Sequence, residues 1–256
     1  EAVRTFLPEE WSGLIRDGRV IFHHGDVLPF IRQCGEKYDV IVVNAPEPST
    51  AVANRYFTAG FYRSVKKLLL SDGFIYTALN SSLHLRSEAL DLGSSAYRTL
   101  RSVFPVVLVT AETRNRFFAG FKKGAGDEVG ITLDSAVLEK RIRSSGVNAG
   151  TFRPEYFRSA GKDELLPERI AAVESKLINA RGSINTNLVP VVYRLNLIMW
   201  SRFSGSGLEG LLGVLGGGDE LKIMYGFMLA GLMVMIVALR ERPGISARFI
   251  CPLIVG

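Results

Sequence analysis

Short apolar runs alternate with amphipathic stretches along this chain, a pattern typical of an α/β fold. The runs Arg19–His23 and Val40–Val43 predict two strands, and 27–33 between them predicts a short helix. Strand, helix and strand in this order predict a parallel pair whose carboxyl ends meet at one edge of a sheet. The first strand then ends at Gly25–Asp26, and the second ends in the polar, proline-rich turn Asn44–Pro48. Ligands of open α/β sheets bind at that edge, so these two ends are the first place to look for a site.

The same two patterns continue downstream. The sequence predicts a helix over Asn54–Leu70 ended by Ser71–Gly73, strands at Phe74–Leu79 and Val106–Thr110, and a helix over Ser87–Arg101. The stretch Arg116–Phe121 resembles the closing hairpin of methyltransferase-like sheets. From residue 133 to 182 the chain becomes helical and polar. One apolar stripe runs through it, formed by Leu165, Leu166, Ile170, Val173 and Leu177.

A glycine-rich cofactor loop is expected in the first βα turn of a nucleotide-binding α/β fold. None follows a strand near the start of this sequence, and the first residue is Glu1 rather than Met. We therefore expect a partial fold in which the first strand or two are missing.

The strand-end motifs resemble those of a known family. Gly25–Asp26, a helix, Tyr-Asp-Val-Ile-Val-Val at 38–43 and Asn-Ala-Pro-Glu-Pro at 44–48 are similar to Gly-Asp…Tyr-Asp-Val-Ile…Asp-x-x-Asp-Pro of the spermidine synthases, the polyamine aminopropyltransferases. The stretch Tyr56–Tyr62 resembles the helix that follows in that family. The resemblance covers about residues 10 to 122. It implies a Rossmann-like methyltransferase fold and transfer of an aminopropyl group to an amine.

The resemblance also implies where the ligands bind. The cofactor would be decarboxylated S-adenosylmethionine or S-adenosylmethionine, bound by Gly25, Asp26, Asn44 and Ala45. Asp26 would accept a hydrogen bond from the adenine amino group, and it would also suit a helix cap. The amine acceptor would contact Glu47, Asn80 and Ser81.

The two polar residues of the turn would carry the chemistry. The family has a carboxylate at the position of Asn44, where it accepts the proton that the attacking amine must lose. An amide can orient an amine through its oxygen but cannot act as a base. Glu47, the remaining carboxylate of the turn, is therefore the candidate amine anchor and base, with a solvated loop glutamate as the alternative.

A second departure lies at Glu112–Phe118. The family has a tyrosine-containing turn there that helps to bind the amine, whereas this chain has two arginines, Arg114 and Arg116, and no tyrosine. Arginine repels a polyamine cation unless a carboxylate such as Glu112 pairs with it.

The end of the chain is more apolar. The stretch Ile184–Tyr193 resembles the junction between the transferase domain and the transmembrane helices in the membrane-fused branch of the family. The uncharged run 223–239, bounded by Lys222 and Arg240, is just long enough for a spanning helix, with a buried core helix as the alternative. Lys and Arg flank the run on both sides, so they leave the topology open. A cytosolic cofactor would place the soluble domain in the cytoplasm.

The charge, cysteine and histidine content of the chain limits the kinds of partner and site that we expect. The net charge of +6 is spread along the chain without a basic block, which disfavours nucleic acid and suits an anionic membrane surface better. Cys34 and Cys251 stand far apart, and His23 and His24 would face opposite sides of a strand. We therefore expect no disulfide framework and no metal site.

Three interpretations stay open. The first is a membrane-anchored aminopropyltransferase with an amine acceptor. The second is a lapsed homologue that binds a ligand or acts as a scaffold, and the third is a methyltransferase. We expect a partial transferase domain at 1–125, a helical extension at 126–187 and a membrane-associated region at 188–256, with a homodimer as an open alternative.

Overall fold

The computed structural model of the chain describes residues 17–79, 87–111, 114–124, 130–147, 150, 152–159, 165–205, 229 and 231–235. Its helices are α1 (Val27–Gln33), α2 (Ala51–Asn54), α3 (Ala59–Lys66), α4 (Ser87–Arg101), α5 (Ser135–Ser144), α6 (Tyr156–Ser159), α7 (Pro167–Asn179) and α8 (Val191–Ser204), with a 3₁₀ turn at Arg55–Phe57. Its strands are β1 (Tyr38–Val43), β2 (Leu69–Leu79), β3 (Val106–Val109) and β4 (Asn115–Gly120).

These strands form one mixed sheet in the order β1-β2-β4-β3. β1 and β2 are parallel, while β4 lies antiparallel to both β2 and β3. The predicted α/β class is therefore confirmed, and so is the closing hairpin between β3 and β4. The predicted helices at 27–33 and 87–101 are also present.

One face of this sheet carries the core. Alternate residues of β2, Ile75, Thr77 and Leu79, are almost completely buried beneath α3 and α4, because successive strand side chains point to opposite faces. On the opposite face Val40 and Val42 of β1 are 46% and 61% exposed. The helices described here thus cover one side of the sheet.

The predicted strand Arg19–His23 is wrong. These residues form no strand, and Ile21 and Phe22 are 74% and 55% exposed. A strand needs a hydrogen-bonding neighbour, and within the described ranges β1 pairs with β2 alone. The apolar pattern of 19–23 is typical of a strand, but these residues have no strand partner in the part of the chain that the structure describes.

The predicted single helix Asn54–Leu70 is also wrong. Thr58 has extended backbone angles and its hydroxyl accepts a hydrogen bond from the N–H of Phe61, so it starts a new helix, α3, inside the apolar stripe. The expected helix stop at Ser71–Gly73 lies within β2, which begins at Leu69. A Cβ atom on Gly73 would lie 2.8 Å from the carbonyl oxygen of Tyr38, at the irregular start of the β1–β2 ladder.

Residues 181–190, which we call the crossing segment, join α7 to α8 across the surface of α4. The N–H groups of Arg181, Ser183 and Asn185 donate to side-chain oxygens of Asp91, Ser95 and Thr99, at 2.9, 3.1 and 2.8 Å. The donors are two residues apart in an extended segment, which advances by about 6.7 Å over two residues. The acceptors are four residues apart in a helix, which advances by about 6 Å over four residues, so donors and acceptors stay opposite each other. The crossing segment is therefore fixed in register on α4.

α7 and α8 share the core of the sheet domain. Val173 and Leu177 of α7 and Val192 of α8 belong to the same buried cluster as the strands and α4. The domain boundaries at 125 and 187 stay a prediction. The predicted spanning run 223–239 lies mostly outside the described residues, and within those residues no helix has the length and apolar character that a membrane crossing needs.

Candidate functional site

Asp26 stands at the start of α1, as the sequence predicted. Gly25 before it has φ of 132°, a conformation that L side chains rarely adopt. The Asp26 carboxylate accepts a hydrogen bond of 3.1 Å from the N–H of Leu28 and so caps the helix. The expectation of a capping role is confirmed.

Arg55 holds the same carboxylate. Its two terminal nitrogens lie 3.0 and 3.1 Å from the two oxygens of Asp26, and one of them also donates to the Tyr56 hydroxyl at 2.6 Å. The hydrogen bond from Leu28, followed by the charge of Arg55, lowers the pKa of Asp26 below its ordinary value. The pKa of Arg55 is raised by Tyr56 and by Asp26. Asp26 is therefore a fixed anion at neutral pH.

A groove of about 700 Å³ runs from α1 along β1 to the turn that follows it. Its floor is apolar, with Val27 and Phe30 from α1 and Val43 from β1, and its polar lining includes His23 and Asn44. This volume lies within the range of about 300 to 1,000 Å³ that is usual for small-molecule sites. Asp26 adjoins the groove through its neighbour Val27.

Two of the three site residues predicted in the turn after β1 line this groove. Asn44 and Ala45 line it, and both follow directly from the last residue of β1. Pro46 also lines the groove, whereas the next residue, Glu47, is not part of the lining. The N–H of Ser49 donates to the Glu47 carbonyl at 2.7 Å and closes the turn.

Arg114 forms an ion pair with Glu47. Its terminal nitrogen lies 4.0 Å from a carboxylate oxygen of Glu47, with 44% and 29% of the two side chains exposed. The sequence suggested Glu112 as the partner that would neutralise an arginine here, but Glu112 lies outside the described residues. An ion pair at this distance is weak and open to solvent, so a competing cation can displace the arginine.

Tyr38 places a third polar group in the groove. Its hydroxyl lies 3.3 Å from the Cys34 sulfur and 3.3 Å from an oxygen of Glu36. The contact with Cys34 is the main cause that raises the pKa of Tyr38 to about 12. Tyr38 therefore stays protonated at neutral pH and serves as a hydrogen-bond donor.

Some predicted residues stay without a structural account. Asn80 and Ser81, expected to face the acceptor, lie outside the described residues. The part of the chain that is described contains no group of three or more His, Cys, Asp or Glu side chains able to hold a metal ion.

Sequence reasoning missed Arg55. The residue follows α2 in a stretch that the apolar spacing assigned to one long helix, where an arginine reads as solvated surface. Only the 3₁₀ turn directs its side chain toward Asp26, 29 residues earlier. No local pattern in the sequence indicates such a distant partner.

Comparisons with known proteins agree with the strand-end motifs. Residues 1–125 match the model of the spermine/spermidine synthase domain. The polyamine aminopropyltransferase of Pectobacterium carotovorum is 25% identical over 158 residues, which is 60% of this chain and 53% of that protein. The one of Thermoplasma volcanium is 30% identical over 109 residues, or 43% of this chain and 38% of that protein.

A solved spermidine synthase, in complex with the transition state analogue AdoDATO, aligns with 69% of this chain and 56% of its own, at 20% identity and a TM-score of 0.48. The chain spans about half the length of the curated relatives that it matches first. The motifs at Gly25–Asp26 and Tyr38–Pro48 lie within the matched domain. Over residues 1–125, this chain is thus similar to the spermine/spermidine synthase family.

Proposed function

We propose that the groove binds an adenosyl sulfonium and that the protein moves an aminopropyl group from decarboxylated S-adenosylmethionine to an amine. The supporting observation is a groove of about 700 Å³ that is lined by Asn44 and by Val27, the residue directly after the fixed anion Asp26. In this proposal Asp26 accepts a hydrogen bond from the adenine amino group. Val27 and Phe30 contact the apolar parts of the ligand.

The reaction needs one nucleophile and one proton acceptor. The amine nitrogen attacks the carbon beside the sulfonium, the carbon–sulfur bond breaks, and the electron pair stays on sulfur as a neutral thioether. The nitrogen then carries a proton that must leave. Glu47 is the carboxylate of the turn that can take it, and Asn44 can orient the amine through its carbonyl oxygen.

Calorimetric titration of the full-length protein with methylthioadenosine, the thioether product, tests the groove. We expect binding by the wild type and a clear loss in Asp26→Ala. Asp134→Ala is the matched control, because Asp134 caps α5 through the N–H groups of Ala136 and Val137, as Asp26 caps α1. No heat from the wild type at millimolar ligand would overturn the proposal.

The role of Glu47 is tested by Glu47→Gln in an aminopropyl transfer assay. We expect the turnover number to fall by about 100-fold, since loss of a general base usually costs 10²- to 10⁴-fold. Unchanged turnover would rule out Glu47 as the base.

A second candidate function is ligand binding without transfer. Two observations favour it: an amide at Asn44, where the resemblance implies a base, and the arginine beside Glu47. Binding of methylthioadenosine together with no product from decarboxylated S-adenosylmethionine and putrescine would support this candidate over the first. A methyl group on the acceptor after incubation with S-adenosylmethionine would instead support a methyltransferase.

We also propose that the protein is held at a membrane through the run 223–239, with the groove on the cytoplasmic side. Support comes from the sequence: 17 uncharged residues lie between Lys222 and Arg240, near the lower limit for a spanning helix. Fractionation of cells that produce the full-length protein tests this. Recovery of the protein in the soluble fraction would overturn it.

A further inference from the structure

Asn185 of the crossing segment uses all of its polar groups inside the protein. Its side-chain nitrogen donates to Asn54 Oδ1 and to the Phe57 carbonyl, both at 3.0 Å, and its side-chain oxygen accepts from the N–H of Val192 at 3.2 Å. Its own N–H donates to Thr99, and its carbonyl accepts from the N–H of Ala59 at 2.9 Å. Asn185 is completely buried. Through its side chain and its backbone, this one residue therefore ties the crossing segment, α4, α8 and the start of α3 to the end of α2.

Asn54, the partner on α2, is equally enclosed. Its side-chain oxygen accepts from Asn185 and from the N–H of Tyr193 at 3.2 Å, and only 3% of the residue is exposed. A buried polar group that loses its partner keeps the full cost of its desolvation. The link between Asn54 and Asn185 thus resists rearrangement far better than a surface hydrogen bond would.

Arg55 is the next residue in the chain, and it holds the Asp26 carboxylate at two points. Asn185 holds the side chain of Asn54, directly before the 3₁₀ turn, and the carbonyl of Phe57 at its end. With both ends held, the direction in which the Arg55 side chain leaves the turn is fixed as well. A continuous set of contacts joins Asn185 through Asn54 and Arg55 to Asp26. None of these contacts passes through the groove itself.

We infer that Asn185 is a positioning residue for the cofactor side of the groove: it sets the place of Arg55, and Arg55 holds the Asp26 carboxylate where a ligand meets it. Asn185 thus acts on the site although it lies 159 positions after Asp26 in the sequence. The identity of the ligand rests on the proposed function, but the arrangement of Arg55 and Asp26 can be measured without any ligand.

The test compares the full-length wild type with Asn185→Ala. The pKa of the Asp26 carboxyl, measured by NMR and assigned through Asp26→Asn, should rise toward its ordinary value, because Arg55 stabilises the charged form. The affinity for methylthioadenosine should fall by about tenfold, as expected when a binding group is displaced. Asn54→Ala should give the same two changes. This variant breaks the hydrogen bond between Asn54 and Asn185, while Asn185 keeps its bonds to Phe57 and Val192. It therefore provides the test if Asn185→Ala does not fold.

Ser95→Ala is the matched control. It removes the bond between the N–H of Ser183 and the Ser95 hydroxyl, which fastens the same crossing segment to α4 without touching Asn54. It should lower the melting temperature and leave both the Asp26 pKa and the affinity unchanged. An Asp26 pKa that stays the same in folded Asn185→Ala and Asn54→Ala would overturn the inference. If the wild type binds no methylthioadenosine, the proposed function fails, and the Asp26 titration still decides on the role of Asn185.

Discussion

Arg55 lies with its two terminal nitrogens 3.0 and 3.1 Å from the two carboxylate oxygens of Asp26, and so it joins the 3₁₀ turn after α2 to the start of α1. The ion pair is bidentate, which fixes the orientation of the carboxylate and stabilises its charged form. A ligand that approaches Asp26 therefore meets a preset acceptor rather than a mobile one.

Asp26→Asn should destabilise the protein at neutral pH and make little difference in strong acid. The folded-state pKa of Asp26 is lowered below its ordinary value of 3.8, so its charge stabilises the fold above that pH. This contribution is lost as the pH falls through the lowered pKa. Asparagine caps helices as well as aspartate does, so the variant removes the charge and keeps the cap. Thermal unfolding from neutral pH down to about pH 2 checks this. An equal difference at every pH would contradict it.

Asn44→Asp should raise the rate of aminopropyl transfer. The new carboxylate would stand at the end of β1 on the lining of the groove, where it can accept the proton of the attacking amine. A general base usually contributes at least about 100-fold, and we expect a rise in kcat of about that size if proton transfer limits the wild type. The rate should increase with pH as the carboxylate ionises. A variant that binds methylthioadenosine and shows no gain would favour the ligand-binding function.

Arg114→Gln should strengthen binding of an amine acceptor. A polyamine cation must compete with the arginine for Glu47, and the ion pair at 4.0 Å is partly exposed. Pairs of this kind contribute little, so the KM for putrescine should fall by about two- to fivefold with kcat unchanged. Arg63→Gln, an exposed position on α3, is the control. A KM that rises in Arg114→Gln would show that the arginine helps to bind the acceptor.

Gly182→Ala should destabilise the protein by about 1 to 3 kcal/mol, the usual cost of overpacking. A Cβ atom at this position would lie 2.4 Å from both the Ser94 hydroxyl oxygen and the Ser95 nitrogen, and the backbone of α4 cannot move aside. Gly60→Ala is the control, because a Cβ atom there meets only Thr58 at 3.9 Å and alanine favours the helix. Urea denaturation measures both. A neutral Gly182→Ala would contradict the close packing.

The sequence predicted secondary structure best where neighbouring residues determine it. α1 and α4 follow from apolar spacing, and the turn after β1 follows from its prolines. The hairpin expected near Arg116–Phe121 is present as the antiparallel pair β3 and β4. The predicted roles of Gly25, Ala45 and Glu47 in binding stay predictions.

The predictions failed mainly where the structure depends on contacts between residues that are far apart in the sequence. The break at Thr58 depends on a cap that competes with a continuous apolar stripe, and Arg55 meets a partner 29 residues away. Asn185 lies in a motif that resembles the family's membrane junction, but its side-chain partner Asn54 is 131 residues earlier. Periodicity describes which face of an element is buried, but it carries no information on which polar groups meet.

The crossing segment and α7 cover one side of α4, where Ser94, Ser95 and Thr99 are completely buried. A recombinant piece cut at residue 125, where the family domain stops matching, would strip away that cover. It would expose the hydroxyl of Ser94, which donates to the Leu177 carbonyl, and those of Ser95 and Thr99, which accept from backbone N–H groups. Expression trials should therefore carry the chain past α8.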